Sequence, residues 1–437
     1  MTTRQEGARD LRLVLALVFV KLIVSCIILR LGFSHVSDDD YARVVIAQTF
    51  AHKPSVDPSG TSWLPFPFWI AGGVFMIAGR SLAVANVLAL VQGGLGWGAL
   101  FLALRRGHLT AWAAWVAAAI GMCLPWNAWL GASIVPEGYV GPLLAAAMIL
   151  GAKPNAFAAI ALLVCSLSRY ESWPIAAVIA AHWLVQAARV RNAKWALLSL
   201  TSVAGAFAWM AWNHHAHGDA LHFFVRVSRY RQNLNLPASA WVERLLLYPL
   251  AVLHIMGPVA CIATGAAAAL VNRQTRALWR VPLGLAAVFL VALIAGELKD
   301  GAPTHHPERA VLAIVSVLLA AGVSGWVTLF TIAKRRSARE MLFIGGSAAL
   351  ATCSLAWVVE TSRDYPGRSA SESRKAQIAR GAALSSEVRY QVTPCAYEHF
   401  ALIAAFGRPE QIEIREPSVR HEPTEQCPYV KMIDGRE

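Results

Sequence analysis

Apolar runs near the ~20 residues that a helix needs to cross a bilayer recur along this chain from Leu11 to about residue 359. No other feature narrows its fold as far. Hydrocarbon cannot hydrogen-bond a peptide group, so a spanning run satisfies its own backbone by coiling into a helix. Only 15% of the residues are charged, where a soluble domain carries about a quarter. The chain therefore reads as an α-helical polytopic membrane protein. Its formal net charge of +13 does not point to nucleic acid. No basic stretch is interleaved with aromatics in the manner of a single-strand-binding groove, and basic residues crowd the cytoplasmic loops of membrane proteins. The first run, Leu11–Leu31, has a basic flank but no small-residue cleavage site after it, which predicts a retained helix rather than a signal peptide. No internal repeat or low-complexity linker is evident.

About eleven transmembrane helices are expected, over residues 11–31, 82–104, 109–126, 138–152, 155–168, 172–188, 195–212, 245–271, 281–296, 310–332 and 341–359. With the N-terminus in the cytoplasm, Arg4, Arg9, Arg12, Arg105, Arg106, Lys153, Arg189, Arg191, Lys194, Arg273, Arg276, Arg280, Lys334, Arg335, Arg336 and Arg339 all fall inside. Only Glu6, Asp10 and Glu340 join them, and the remaining loop acids collect on the opposite face. The positive-inside rule thus predicts a cytoplasmic N-terminus and an outward C-terminus. The segment "WLPFPFWIAGGVFMIAG" (Trp63–Gly79) is apolar but short and broken by two prolines and three glycines. Counting it as a span would invert every later loop and destroy the charge bias. It reads as a helix lying in the outer interface, a depth that suits its Trp and Phe residues.

Nearly all candidate chemistry then gathers on the outer side. The first outer loop carries "SDDDY" (Asp38, Asp39, Asp40, Tyr41), the next carries "VPEGY" with Glu137, and a helix junction carries "SRYESWP" with Arg169 and Glu171. A further loop brings Arg226, Arg229 and Arg231, and another brings His305, His306 and Arg309. Each has an ordinary reading. Acids after an exiting helix are commonly just solvated, and Pro-Glu suits a helix's first turn. Arg169 and Glu171 can simply pair, and two adjacent histidines are weak metal evidence. The arginines at 226, 229 and 231 are harder to dismiss, because basic residues are scarce on outer faces. A guanidinium grips phosphate through two parallel hydrogen bonds, so this loop suits a phosphate-bearing ligand or, in the plainer reading, lipid headgroups.

"SDDDYARVVIAQ" after the first span, "WLPFPFWIAGG" after that, and "PEGYVGPL" opening the fourth span together resemble the GT-C superfamily of integral membrane glycosyltransferases. The pattern is similar to the branch holding protein O-mannosyltransferases and the lipid A aminoarabinose transferase. "RYESWP" and "HHPERAVLAI" also resemble motifs of related bacterial members. The resemblance covers about residues 1–330. It implies a multi-pass enzyme of the bacterial inner membrane, cell-envelope glycosyl transfer at its outer face, and a sugar donor carried on polyprenyl phosphate. Lipid, glycan and protein acceptors all fit. It further implies that a leading acid of the first outer loop is the general base: Asp39, with Asp40 beside it and Asp38 within one position of register. Glu137 matches the family's second acidic position. Arg169, Arg226, Arg229, Arg231, His305, His306 and Arg309 are the candidates for holding donor phosphate, and Glu171 and Tyr41 for contacting acceptor or shaping the site. Cofactor dependence stays open, since neighbouring carboxylates also suit a hard divalent cation such as Mg or Mn.

The expected division is a GT-C-like transmembrane catalytic domain over 1–359 and a small outward, periplasmic α+β domain over 360–437. Cys395 and Cys427 are the cysteines outside the apolar runs. They are expected to form a disulfide, because their compartment permits oxidation and so small a unit needs a staple. A transporter or flippase of lipid-linked sugars is the alternative. It predicts broken helices, charges within spans and inverted repeats. Lys21 lies mid-span, but no repeat is present. A sensor or scaffold would leave the aspartates and the outer arginines without a role.

Overall fold

The structure is a computed structural model that describes residues 3–60, 62–107, 109–233, 240–300, 306–332, 346, 357, 364–415 and 428–433. Its helices in chain order are α1 (Thr3–Arg30), α2 (Asp39–His52), α3 (Phe66–Ala78), α4 (Leu82–Arg106), α5 (Ala111–Met122), α6 (Pro125–Leu130), α7 (Glu137–Leu150) and α8 (Ala156–Ser166). They continue with α9 (Trp173–Val190), α10 (Ala193–His217), α11 (His222–Asn233), α12 (Trp241–Met256), α13 (Ala260–Ala263), α14 (Gly265–Val271), α15 (Arg273–Asp300) and α16 (Glu308–Ile332). Each expected span up to residue 332 overlaps helix, with 109–126 and 245–271 interrupted. The last, 341–359, lies outside the described residues.

Among the described residues, seven helices are long and apolar enough to cross a membrane. α5, α7 and α8 are shorter. α5 and α7 are buried along almost their whole length, so their ends meet protein rather than lipid, which is where irregular backbone is tolerated at membrane depth. α5 stops where Leu124 turns extended and Pro125 opens α6, a proline at a helix start where its missing N–H costs nothing. The expected span 245–271 is not one helix. It breaks at Gly257, whose φ of 43° and ψ of −128° leave the helical region, and Pro258 follows. The apolar pattern continues through the break, so hydropathy alone could not mark it.

α7 lies at the centre, packed against α4, α8 and α16. Its first turn is held by a close backbone approach: a Cβ on Gly138 would collide with the Leu130 carbonyl oxygen. At the far end of the bundle Arg105, at the end of α4, pairs with Asp10 near the start of α1 at 3.0 Å.

The segment between α1 and α4, expected as the first outer loop, is more ordered than its sequence indicates. The interfacial helix expected at Trp63–Gly79 is present as α3, with Ile70, Met76 and Ile77 exposed. Ahead of it stands α2, which was expected only as loop. α2 buries Tyr41, Val44 and Ala47 with Phe75 of α3 and with Ala401 and Ala404 of the C-terminal unit.

That unit is a small α+β arrangement, as expected. Helices Ser371–Ala382 and His399–Phe406 pack with a three-stranded sheet of β1 (Arg389–Thr393), β2 (Ile412–Ile414) and β3 (Tyr429–Ile433). β1 lies between the other two, parallel to β2 and antiparallel to β3. Cys395 is disulfide-bonded; its expected partner Cys427 lies outside the described residues. The unit docks on the bundle through polar contacts as well. Tyr365 Oη donates to Gly32 O at 2.7 Å, Gln48 Nε2 donates to Ala404 O at 2.9 Å, and Arg80 grips Glu410 with two bonds of 2.9 and 2.8 Å.

Candidate active site

Three consecutive acids open α2. Successive helical residues project about 100° apart, so the three carboxylates cannot share one neighbour, and each has its own. Asp38 turns toward the C-terminal unit, where Arg374 Nε and Nη2 donate to its two oxygens at 2.6 and 2.8 Å. Asp39 keeps 43% of its side chain exposed and faces Arg309, whose Nη1 is 3.4 Å from Oδ2. Asp40 is 1% exposed. It accepts from the Ser133 hydroxyl, and from the Val36 and Ser37 backbone N–H groups at 3.3 and 3.2 Å. That reach back onto loop N–H groups ties the chain leaving α1 to the first turn of α2, as in a capping box. Burial pushes the Asp40 carboxyl up to about 6, against the pull of its hydrogen bonds to Ser133 and Ser37.

The second centre is Glu137, at the first position of α7 and 2% exposed. Its Oε1 accepts from Arg169 Nη1 at 2.7 Å and from Arg309 Nε at 2.8 Å, and Arg309 Nη2 lies 2.7 Å from the same oxygen. Arg169 sits in extended backbone between α8 and a 3-10 turn over Tyr170–Ser172, and also holds Glu171, with Nε 3.1 Å from Oε2 and Nη2 on Oε1. Asp39, Arg309, Glu137, Arg169 and Glu171 thus form one connected chain of charges drawn from four helix junctions. Glu137, Arg169, Glu171 and Arg309 line a small cleft with Ser172 and Phe289. Glu137 Oε2 is buried with no hydrogen-bond partner among the described residues.

Arg43 belongs to this cluster and was not foreseen. It lies one turn beyond Asp39 on α2, 5% exposed, with its guanidinium carbon 4.4 Å from the Trp63 ring centroid. Burial holds it below the ordinary guanidinium value, while Glu137 and Asp39 pull the other way. Its Nε has no partner among the described residues. A buried polar atom left unpaired in a native fold asks for an explanation; Glu137 lines the cleft described above, and Arg43 lines a second one with Phe68, Phe75, Pro136 and Tyr139. Spacing held a clue to Arg43, since Asp39 and Arg43 are four apart and share a helical face. Ser133 and Arg374 carried none.

The other expected site residues are placed as follows. Tyr41 is buried in the cluster under the C-terminal unit, within the field of Asp40, Asp38 and Arg374. His306 packs on Trp126 with ring centroids 5.5 Å apart, and its carbonyl accepts from Arg309 N–H at 3.1 Å. His305 and the Arg231 side chain lie outside the described residues. Arg226 donates to Gly60 O, and Arg229 is exposed. Neither bonds the carboxylate cluster among the described residues. Their helix α11 is nonetheless anchored beside it, since Phe223 stacks on Tyr170 at 4.4 Å. No group of three or more His, Cys, Asp or Glu side chains suited to a metal occurs among the described residues. Glu137 is surrounded by guanidinium groups, Asp38 is doubly held by Arg374, and Asp40 is saturated.

Apolar helices long enough to span a membrane, a helical connection between α1 and α4 and a docked α+β unit define a polytopic membrane fold with a charged site at one end of its bundle. Among solved structures it is similar to ArnT from Cupriavidus metallidurans, solved bound to undecaprenyl phosphate. The match has a TM-score of 0.59, covers 95% of this chain and 90% of that one, and has 13% sequence identity. The polytopic helical fold expected from the sequence is therefore the fold this chain shares with that structure. No protein-family model and no curated protein matches the sequence.

Proposed function

We propose that this chain is a membrane glycosyltransferase of GT-C type that moves a sugar from a polyprenyl-phosphate carrier to an acceptor hydroxyl or amine at the outer face of the bacterial inner membrane. The observation that carries the reading is the chain of charges from Asp39 through Arg309 and Glu137 to Arg169. The likeness in fold to a protein solved with undecaprenyl phosphate supports the same carrier class here.

Inverting transfer needs a carboxylate that takes the acceptor's proton while the acceptor attacks C1 from the face opposite the leaving group. Of the three aspartates, Asp39 alone is neither saturated by hydrogen bonds nor doubly clamped, and it is the most accessible. In the step proposed, Asp39 accepts the proton, the acceptor oxygen or nitrogen bonds to C1, and the C1–O bond breaks with its electron pair passing to the lipid phosphate. The phosphate gains one negative charge as Asp39 loses one. The cluster's total charge is therefore conserved, and Arg309 Nη1, released once Asp39 is protonated, is available to the departing phosphate. Arg169 and Arg43 strengthen the same field. Arg226 and Arg229 are assigned to the carrier's approach along α11. Glu137 Oε2 and Arg43 Nε, both buried and without a hydrogen-bond partner among the described residues, supply an acceptor and a donor for substrate hydroxyls.

The transport alternative draws on the break at Gly257 and on buried Lys21. Lys21, however, donates to the Asn127 and Ala128 carbonyls at 3.4 and 3.3 Å, which accounts for it as a strut between α1 and α6. The test is turnover. Surface glycans and lipids of a deletion strain are compared by mass spectrometry to find the missing product, and purified protein is then assayed with the matching undecaprenyl-phosphate sugar. Asp39→Asn is expected to lower turnover about 10²–10⁴-fold without unfolding the protein. Wild-type rates in Asp39→Asn, or carrier flipping with no sugar transfer, would defeat the reading.

A further inference from the structure

We infer that Arg374 of the C-terminal unit is a positioning residue for the catalytic base: by clamping Asp38 it fixes the first turn of α2 and holds Asp39 toward Arg309. The inference rests on the glycosyl-transfer reading for what Asp39 does, but the clamp itself is a statement about geometry.

Three features support it. The Arg374–Asp38 contact is bidentate, at 2.6 and 2.8 Å, and Arg374 keeps only 11% of its side chain exposed. A planar fork on a carboxylate fixes orientation as well as distance. Second, Asp38 immediately precedes Asp39, at the helix N-cap position, and makes no side-chain cap bond of its own. Its carboxylate is used between domains, not within α2. Third, the contacts around it bind the same short segment to the same unit: Ser34 Oγ lies 3.3 Å from Tyr365 Oη and 3.2 Å from Ser371 Oγ. The loop from Gly32 to Asp38 is thus held from above by the C-terminal unit and from below by Asp40 on Ser133. Asp39 projects between these two holds. Without the clamp, Asp38 no longer ties the first turn of α2 to the C-terminal unit, and a displacement of about 1 Å at a reacting group can cost on the order of 100-fold in rate.

The competing explanation is that the clamp merely docks one domain on another. Arg80–Glu410 is the control, because it joins the same two units through a bidentate pair remote from the aspartates. The full-length protein is tested as Arg374→Ala, Arg374→Lys, Asp38→Ala, the Arg374→Ala/Asp38→Ala double variant, and Glu410→Gln. Turnover of the undecaprenyl-phosphate sugar used by the wild type should fall at least about tenfold in Arg374→Ala with KM little changed. It should recover in part in Arg374→Lys, stay normal in Glu410→Gln, and fall no further in the double variant than in the worse single one. Hydrogen exchange supplies the readout independent of activity. Amides of residues 36–43 should lose protection in Arg374→Ala while those of helix His399–Phe406 keep theirs. Equal losses in Arg374→Ala and Glu410→Gln, additive losses in the double variant, or unchanged exchange over 36–43 would overturn the inference. A wild type that transfers no sugar would defeat the functional reading alone, and the exchange experiment would still decide the clamp.

Discussion

Asp40 is the acid whose surroundings conflict most with its charge. Its folded value of about 6 exceeds the ~3.9 of an unfolded aspartate, so the folded chain binds the proton more tightly than the unfolded one. The stability this contributes is complete below pH ~4 and is lost as the pH rises through about 6. Asp40→Asn, which cannot ionise, should flatten that part of the stability–pH curve. Thermal unfolding of both proteins between pH 4 and 7.5 checks it, and identical slopes would mean that Asp40 does not titrate in the window. At this scale the sequence was legible wherever an acid or arginine stood in a marked context. Asp39, Glu137, Arg169, Glu171 and Arg309 were all expected on one side of the membrane, and ion pairs link them. Arg374 was invisible because a single arginine in a polar tail has no local signal; its meaning lies in a partner 336 residues away.

Among the elements, the long helices were readable from hydropathy because lipid imposes length and apolarity together. The misses came where protein replaces lipid as the surroundings. α2 has an acidic first turn followed by Tyr41, Val44 and Ala47, a helical spacing that was there to read, but its burying surface comes from the C-terminal unit. The break after Met256 is set by backbone geometry inside an unbroken apolar run. The first turn of α7 depends on Gly138 against the Leu130 carbonyl. Gly138→Ala should therefore move the neighbouring Glu137 and cost about 1–3 kcal/mol as overpacking. A lower unfolding midpoint together with reduced turnover is the expected result; an unaffected midpoint would show that the junction has room to spare.

For the whole molecule, the charge asymmetry of the loops suggested which ends share a side, and the site residues from separate loops do meet at one end of the bundle. The C-terminal unit was expected as an appendage. Instead it covers α2 with apolar and ionic contacts. Reducing the disulfide at Cys395 should increase protease cleavage within the unit, with the helical bundle intact, and peptide mapping of the oxidised protein should identify Cys427 as the partner. Cleavage unchanged by reductant would mean that docking alone holds the unit in place. The position of Arg374 also has a consequence for biosynthesis. The ribosome makes Asp38 long before Arg374, so a nascent or prematurely terminated chain can hold most of its charged site and still lack the clamp. Competence then comes with the last part of the chain, and a half-made molecule already in the membrane carries a base that is not yet aimed.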